Sequence, residues 1–235
     1  MSISVRISKG KNISIQGSAQ NVLKDAVSDL YSLNPIDFNL LIPKLCVRIG
    51  DKVLAGEPLF FDKENDSIKY CSPVSGLVKD IVRGEKRKIL RVIVKADKKN
   101  KYKKFNVSNY QNRNLQEIKD LMMNSGLWAL IQKRPFSIVA EEKDRPKSIF
   151  ISCFDSSPLA PDYNFILSKE RDFFQIGLDV MSMFTTGKLH LNVDGLRDDS
   201  DFFNQFSGCQ INKFYGPHPS GNVGVQIHHI DPINK

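Results

Sequence analysis

The sequence predicts a mixed α/β chain, a small β sandwich over residues 1–100 followed by an α/β domain over residues 101–235. Three observations carry this. Between Val47 and Val78 the pairs Gly50-Asp51, Gly56-Glu57, Ser72-Pro73 and Ser75-Gly76 punctuate short apolar runs, so two similar strand-turn-strand units fold face to face. Beyond Arg113 the apolar period changes from two to that of a helix. From Ser148 onward strand-like runs alternate with amphipathic ones, as in β-α-β units whose parallel sheet carries helices on its faces.

In order, residues 3–7 (ISVRI) and 13–15 (ISI) alternate apolar with polar side chains around Gly10, which predicts two short strands and a turn. Residues 21–33 hold Leu23, Ala26, Val27 and Leu30 at helical spacing, with a loop as the competing reading because Asn34-Pro35 follows at once. After the paired turns, residues 89–94 (ILRVIV) are a β-branched run that completes the sandwich. The polar stretch 95–113 has few groups to bury and is the expected boundary. Asn114 with Glu117 reads as a capping box, and Ile118, Leu121, Met122 and Leu127 as the apolar stripe of a helix ending near Ser125-Gly126. Residues 149–154 read as a buried strand. Residues 169–186 read as a helix with Phe173, Ile176, Val180 and Met183 on its apolar face and Gly187 as its stop. A strand on Leu189, Leu191 and Val193, a short helix at 200–206 and a strand at 210–215 follow. The last segment runs through glycine- and proline-rich turns to a strand at 225–230, and Asp231-Pro232 reads as a linker within a longer polypeptide.

Composition narrows the function. The net charge of +8 is concentrated between residues 83 and 104, where eleven basic residues face only Glu85 and Asp97. This run, with Lys98, Lys99, Lys101 and Lys103 at its centre, is either a solvated hairpin or a patch facing anionic lipid headgroups or an acidic protein partner. Tyr102 is its only aromatic residue, which argues against nucleic acid. No apolar run approaches the roughly 20 residues of a membrane span, and the N-terminus lacks the apolar core of a secretory signal, so a cytosolic or membrane-peripheral chain is expected. The four cysteines form no C-x-x-C pair, so neither zinc nor an iron-sulfur cluster is expected, and a disulfide between Cys46 and Cys71 is not expected in a reducing compartment.

Few residues invite chemistry. His218, His228 and His229 are potential metal ligands, but in an alternating strand His228 and His229 point to opposite faces, and no cysteine or carboxylate cluster lies near them. His218, held between Pro217 and Pro219, reads as a donor to a loop carbonyl. Arg134, before Pro135-Phe136, is either an anion or partner clamp or a surface arginine beside a buried Phe136. Trp128 continues the helical spacing and reads as core. Ser156-Ser157 lacks the glycine-flanked elbow of a nucleophile, and no catalytic residue is assigned.

The pattern V-x-x-G-D-x-V-x-x-G-x-x-L, followed by S-P-x-x-G-x-V, resembles the barrel-sandwich hybrid of biotinyl and lipoyl carrier domains. Such carriers hold a lysine at a hairpin tip. Counting back seven residues from Ser72 puts that tip at Asn65 and leaves Lys63 two positions off it, without the Met-Lys-Met or Asp-Lys-Ala setting, so an unmodified version of the fold is expected.

A wider resemblance follows from the I-x-x-G that ends at Gly10, this sandwich motif, Arg83-Gly84-Glu85-Lys86-Arg87, Ser125-Gly126-Leu127-Trp128, Arg134-Pro135-Phe136-Ser137, Asp155-Ser156-Ser157-Pro158-Leu159-Ala160 and Gly216-Pro217-His218-Pro219-Ser220-Gly221. In this order they resemble the N-terminal half of the NqrA family, which belongs to the sodium-translocating NADH:quinone oxidoreductase. The resemblance implies a Rossmann-like second domain similar to the flavoprotein subunit of complex I, where a glycine-rich loop approaches the FMN phosphate, with a nucleotide- or flavin-binding oxidoreductase domain related to RnfC or to that flavoprotein subunit as the alternative. Here the corresponding segment keeps only Gly126, so the resemblance implies a lost flavin and NADH site and no cofactor on this chain, with flavins and an iron-sulfur centre in partner subunits. A retained but altered nucleotide pocket would rest on Asp155, Gly221 and Gly224. The implied role is a non-catalytic, peripheral subunit portion on the cytoplasmic side of the bacterial inner membrane. It would contact other subunits, and quinone in the assembled complex, with Arg134, Phe136, His218 and the lysines at 98, 99, 101 and 103 as contact candidates.

Overall fold

The first strand, β1 (Ile3–Arg6), pairs in parallel with residues near the opposite end of the sequence, Ile3 with Asn212 and Arg6 with Tyr215. In this computed structural model, which describes residues 2–17, 19–108, 110–197 and 200–233, the chain divides into two compact units. One is Lys24–Asp144; the other joins Met1–Leu23 to Arg145–Lys235. These packing units differ in their bounds from the two sequence domains expected at 1–100 and 101–235. Residues 13–15 form no strand, and residues 21–29 are irregular up to β2 (Leu30–Leu33) rather than helical.

The unit Lys24–Asp144 is built on two antiparallel sheets. One has the order β2-β8-β7-β4, from β4 (Lys52–Val53), β7 (Gly76–Arg83) and β8 (Ile89–Ala96) with β2; the other has the order β3-β5-β6, from β3 (Pro43–Leu45), β5 (Pro58–Asp62) and β6 (Asn65–Cys71). Each sheet buries one side. Leu59, Phe60, Ile68 and Tyr70 come from the second, and Val53, Val78, Val92 and Val94 from the first. This is the expected sandwich, with α1 (Leu115–Ser125) packed on β6. The capping box forms as expected. Asn114 accepts from the Glu117 amide at 2.9 Å and Glu117 from the Asn114 amide at 2.9 Å, while Gly126 ends the helix at φ +83°. Met123, not Met122, is its buried methionine, and Leu127 is exposed. Trp128 is buried, with its indole donating to the Ala140 carbonyl at 2.7 Å, and β9 (Gln132–Lys133) pairs with β10 (Ile138–Val139).

The other unit is a four-stranded, all-parallel sheet of order β1-β13-β12-β11. Its elements after β1 are β11 (Ile149–Ser152), α2 (Tyr163–Leu167), α3 (Arg171–Ser182), β12 (Leu189–Asp194), α4 (Ser200–Asn204), β13 (Gln210–Tyr215) and α5 (Val223–Ile230). On one face Leu189, Leu191 and Val193 pack with Leu178, Phe203 and Phe206. The alternate residues His190 and Asn192 are on the other face, where Gln226 of α5 bonds to Asn192.

Three expectations fail here for physical reasons. Residues 225–230 are helical rather than extended, because the turn at 219–222 supplies the first helical bonds: the Gln226 amide donates to the Asn222 carbonyl at 3.1 Å. The apolar face expected of α3 is the exposed one, since Phe173 is 74% and Ile176 36% exposed while Phe174, Leu178 and Met181 face the core. Both stripes have helical spacing, and the sheet selects the one with Leu178. Gly187 is not a left-handed cap. It is glycine because a Cβ would lie 1.8 Å from the Lys147 carbonyl oxygen.

Candidate functional site

In open parallel sheets, ligands bind beyond the carboxyl ends of the strands. Here the loops after β1, β11 and β13 close that edge on one another. The Ile7 amide donates to Tyr215 O at 2.7 Å, the Lys11 amide to His218 O at 3.0 Å, and the His218 amide to Asn12 Oδ1 at 2.9 Å. Ser156 Oγ lies 3.0 Å from His218 Nδ1 and accepts from the Gly221 amide at 2.9 Å. With Nδ1 as acceptor, the serine hydroxyl donates to the ring. His218 thus pairs with a side-chain hydroxyl rather than donating to the expected loop carbonyl.

The glycines at this edge serve the chain's own backbone. A Cβ at Gly10 would stand 2.1 Å from His218 O, at Gly216 2.2 Å from Ile7 O, and at Gly221 2.3 Å from Ser156 N. Gly224 in the first turn of α5 has open space around it. Asp155 Oδ1 accepts from the Ser157 amide at 2.8 Å, a local turn, so among the described residues no carboxylate orients the His218 ring. A Ser-His pair without that third group, and with the serine oxygen already bonded twice, is built to hold loops together rather than to attack a substrate.

A cleft of about 30 Å³, lined in part by Cys153, Asp155, Tyr163 and Asp194, sits beyond β11 and β12. That volume suits a water molecule, not a nucleotide. Arg197 spans it, 2.8 Å from Asp162 and 3.6 Å from Asp194, while Asp194 Oδ1 also accepts from the Leu196 amide at 2.9 Å. Burial pushes the Cys153 thiol up to about 12, with Cys209 reinforcing the shift, so no nucleophilic thiolate is held there.

The sheet face under α5 carries a buried polar chain that sequence reading missed. Asn212 Nδ2 donates to Asn192 Oδ1 at 2.8 Å, Asn192 Nδ2 to Gln226 Oε1 at 2.8 Å, and Gln226 Nε2 to Ser152 Oγ at 3.0 Å. His190 is buried against Phe150, with ring centroids 4.6 Å apart, and its Nδ1 lies 3.2 Å from Asn212 Nδ2. The signal was available: His190, Asn192, Gln210 and Asn212 alternate with the apolar residues already assigned to these strands.

The other candidates are scattered. Arg134 bonds to Ser137 Oγ at 2.7 Å, and Phe136 is 72% exposed, which overturns the reading of a surface arginine beside a buried phenylalanine. His228 and His229 are consecutive on a helix rather than on opposite faces of a strand. Their rings are 5.2 Å apart, and among the described residues no group of three or more potential ligands gathers. Lys63 and Glu64 form the two-residue turn between β5 and β6, so Lys63 is at the tip after all. Counting from Ser72 missed this because β5 and β6 are staggered by a bulge. Cys46 follows β3 and Cys71 ends β6, with β5 between them. Two strand spacings, roughly 10 Å, are too far for a disulfide.

The basic run is divided as well. Arg83, Lys86, Arg87 and Lys88 surround the β7–β8 turn, while Lys98, Lys99, Lys101 and Lys103 follow the far end of β8. The latter stretch is ordered by the barrel: the Lys101 amide donates to Ser75 Oγ at 2.9 Å and the Lys103 amide to Ala55 O at 2.8 Å.

Comparison with known proteins places both halves. Residues 5–97 match the family model of the NqrA N-terminal barrel-sandwich hybrid domain, and residues 113–235 that of the NqrA second alpha/beta domain. The chain is similar to the NqrA protein of the Na(+)-translocating NADH-quinone reductase from Saccharophagus degradans, 32% identical over 98% of this chain and 52% of the relative. It is similar to the corresponding protein of Vibrio vulnificus at 33% over 98% and 52%, and to that of Marinomonas at 32% over 97% and 51%. The chain spans about half the length of the curated relatives it matches.

Proposed function

The chain belongs to the NqrA family, and from this we propose that it serves as a non-catalytic, membrane-peripheral subunit portion of a sodium-translocating NADH:quinone oxidoreductase. The observation that carries the reading is the match of both domains, in order, along nearly the whole chain. The portion docks on partner subunits at the cytoplasmic face of the membrane and helps form the quinone-reducing end. Among the described residues no helix is long and apolar enough to cross a membrane.

The α/β unit is, on this proposal, a Rossmann-like domain without its nucleotide. The support is local: Gly10, Gly216 and Gly221 meet the protein's own backbone where a phosphate would approach, and Arg197 spans a cleft too small for a ring system. Lys63, although at a hairpin tip, lies in Asp62-Lys63-Glu64 rather than in a carrier setting, and is proposed to be unmodified.

Affinity purification of the tagged chain from membranes tests the main reading. Co-purification of quinone reductase subunits is expected, and their absence would overturn it. The competing reading, an altered nucleotide pocket using Asp155, Gly221 and Gly224, draws only on the open space at Gly224. It requires a thermal shift with FMN or NADH, where none is expected.

A further inference from the structure

We propose that the outer face of the β2-β8-β7-β4 sheet is a docking surface for an anionic lipid bilayer. The register makes the face. Lys52, Leu77, Lys95 and Leu30 are cross-strand neighbours in one row from β4 to β2, all pointing away from the buried Val53, Val78 and Val94. Leu77 remains 40% exposed between Lys52 and Lys95, and Leu30 43% exposed beside Lys95 on the edge strand β2. Further along β8, Arg91 is exposed and Ile93 half-buried on the same side. Apolar and basic side chains thus mix along this face, with the leucines toward the end where β8 finishes.

Its two ends are more strongly basic. At one end the β7–β8 turn places Lys86 at φ +51° and Arg87 at φ +62°, consecutive left-handed residues where glycine or asparagine would be less strained. Both side chains project from the tip. The other end carries Lys98 and Lys99, roughly 26 Å away along the eight residues of β8. Among the described residues none of the eleven basic residues between 83 and 104 forms an ion pair, so this charge is uncompensated within the protein.

A plane of anionic headgroups matches a sheet face with exposed leucines among its lysines and exposed cations at both ends. The apolar side chains reach the acyl boundary while lysine and arginine meet phosphates. A nucleic acid would call for stacking rings, and Tyr102 is the only aromatic residue in the run. Asp80 is the one carboxylate among the paired residues of this face, and it accepts from the Ile81 amide. The inference rests on the membrane-peripheral reading for its setting, not for its geometry.

The test is sedimentation of the full chain with phosphatidylcholine vesicles, with and without phosphatidylglycerol, at low and raised salt. Binding is expected only with phosphatidylglycerol, and to weaken as salt rises. Reversing Lys86, Arg87, Lys98 and Lys99 to glutamate should lower partitioning at least about 100-fold, and Leu30→Ser with Leu77→Ser about tenfold. Reversing Lys9, Lys11, Lys169 and Lys188, an equal charge change in the other unit, should do far less. Equal binding to neutral vesicles, equal loss in the control, or no loss on reversal at the two ends would overturn the proposal. If vesicles do not bind but reversal abolishes co-purification with reductase subunits, the face is a protein interface and the lipid proposal falls while the family-based reading stands. If vesicles bind as expected and no reductase protein co-purifies, that reading falls and the lipid surface stands.

Discussion

Gly50 and Gly76 are both turn glycines by sequence, yet they are glycine for different reasons. Gly50 has φ +94° with nothing near its would-be Cβ, whereas at Gly76 a Cβ would lie 2.0 Å from the Lys95 carbonyl oxygen. Gly50→Ala should therefore cost about 1 kcal/mol of backbone strain, with Gly50→Asn recovering part of it. Gly76→Ala should cost at least about 2 kcal/mol, and Gly76→Asn more, because backbone must move. Urea melts of the four variants separate the two causes. Equal losses at both sites would refute the distinction.

His190 gives a pH signature. Burial holds its imidazole below the usual 6.5, with Lys188 acting in the same direction and Asp231 against it. The unfolded chain then takes up the proton more readily, so the stability due to neutral His190 is full above about pH 6.5 and is lost as pH falls toward the lowered folded value. Asp231 acts in a separate window. Its carboxyl is held below 3.8 by hydrogen bonds from Lys147 and Ser148, so its contribution persists until strongly acid pH. His190→Gln should flatten the melting profile between about pH 7 and 5 and leave the acid limb unchanged. An unaltered profile over that range would exclude His190 as the source.

Helix α3 carries two apolar stripes, and the parallel sheet uses only one. Leu178 is 1% exposed and packs with Leu189, Leu191 and Val193, while Phe173 is 74% exposed. Leu178→Ala should destabilise by about 2–4 kcal/mol, through lost burial and a cavity. Phe173→Ser should change stability by less than about 0.5 kcal/mol. Thermal melts in which Phe173→Ser is the more damaging variant would restore the face that spacing alone proposed. Helix α1 shows the opposite case, since its capping box, its glycine stop and its buried Ile118 all agree. A local signal suffices where hydrogen bonds close within three residues.

The division of the chain follows packing rather than sequence order. A fragment of residues 24–144 keeps both sandwich sheets, α1 on β6 and the Ala55–Tyr102 bridge, and should unfold as one cooperative transition. A fragment of residues 1–100 loses α1 and that bridge while keeping β1 without its partner β13, and should melt at lower temperature or without cooperativity. Circular-dichroism melts of the two fragments decide. Comparable cooperative unfolding would favour the boundary at residue 100.

Short-range chemistry made much of this protein legible in its sequence. The strands at 89–94 and 210–215, the cap at Asn114 and the β-α-β alternation all depend on residues a few positions apart. The family resemblance depends on such motifs kept in order. Pairings across long separations stayed out of reach: β1 with β13, Asn12 and Ser156 with His218, and Asn192 with Gln226. Each depends on which surfaces meet once the sheet has formed, and a linear pattern does not contain that. The same reason explains α3, the tip position of Lys63 and the separation of the basic run into two ends of one hairpin. Periodicity states which residues share a side, whereas the packed neighbours decide which side is buried.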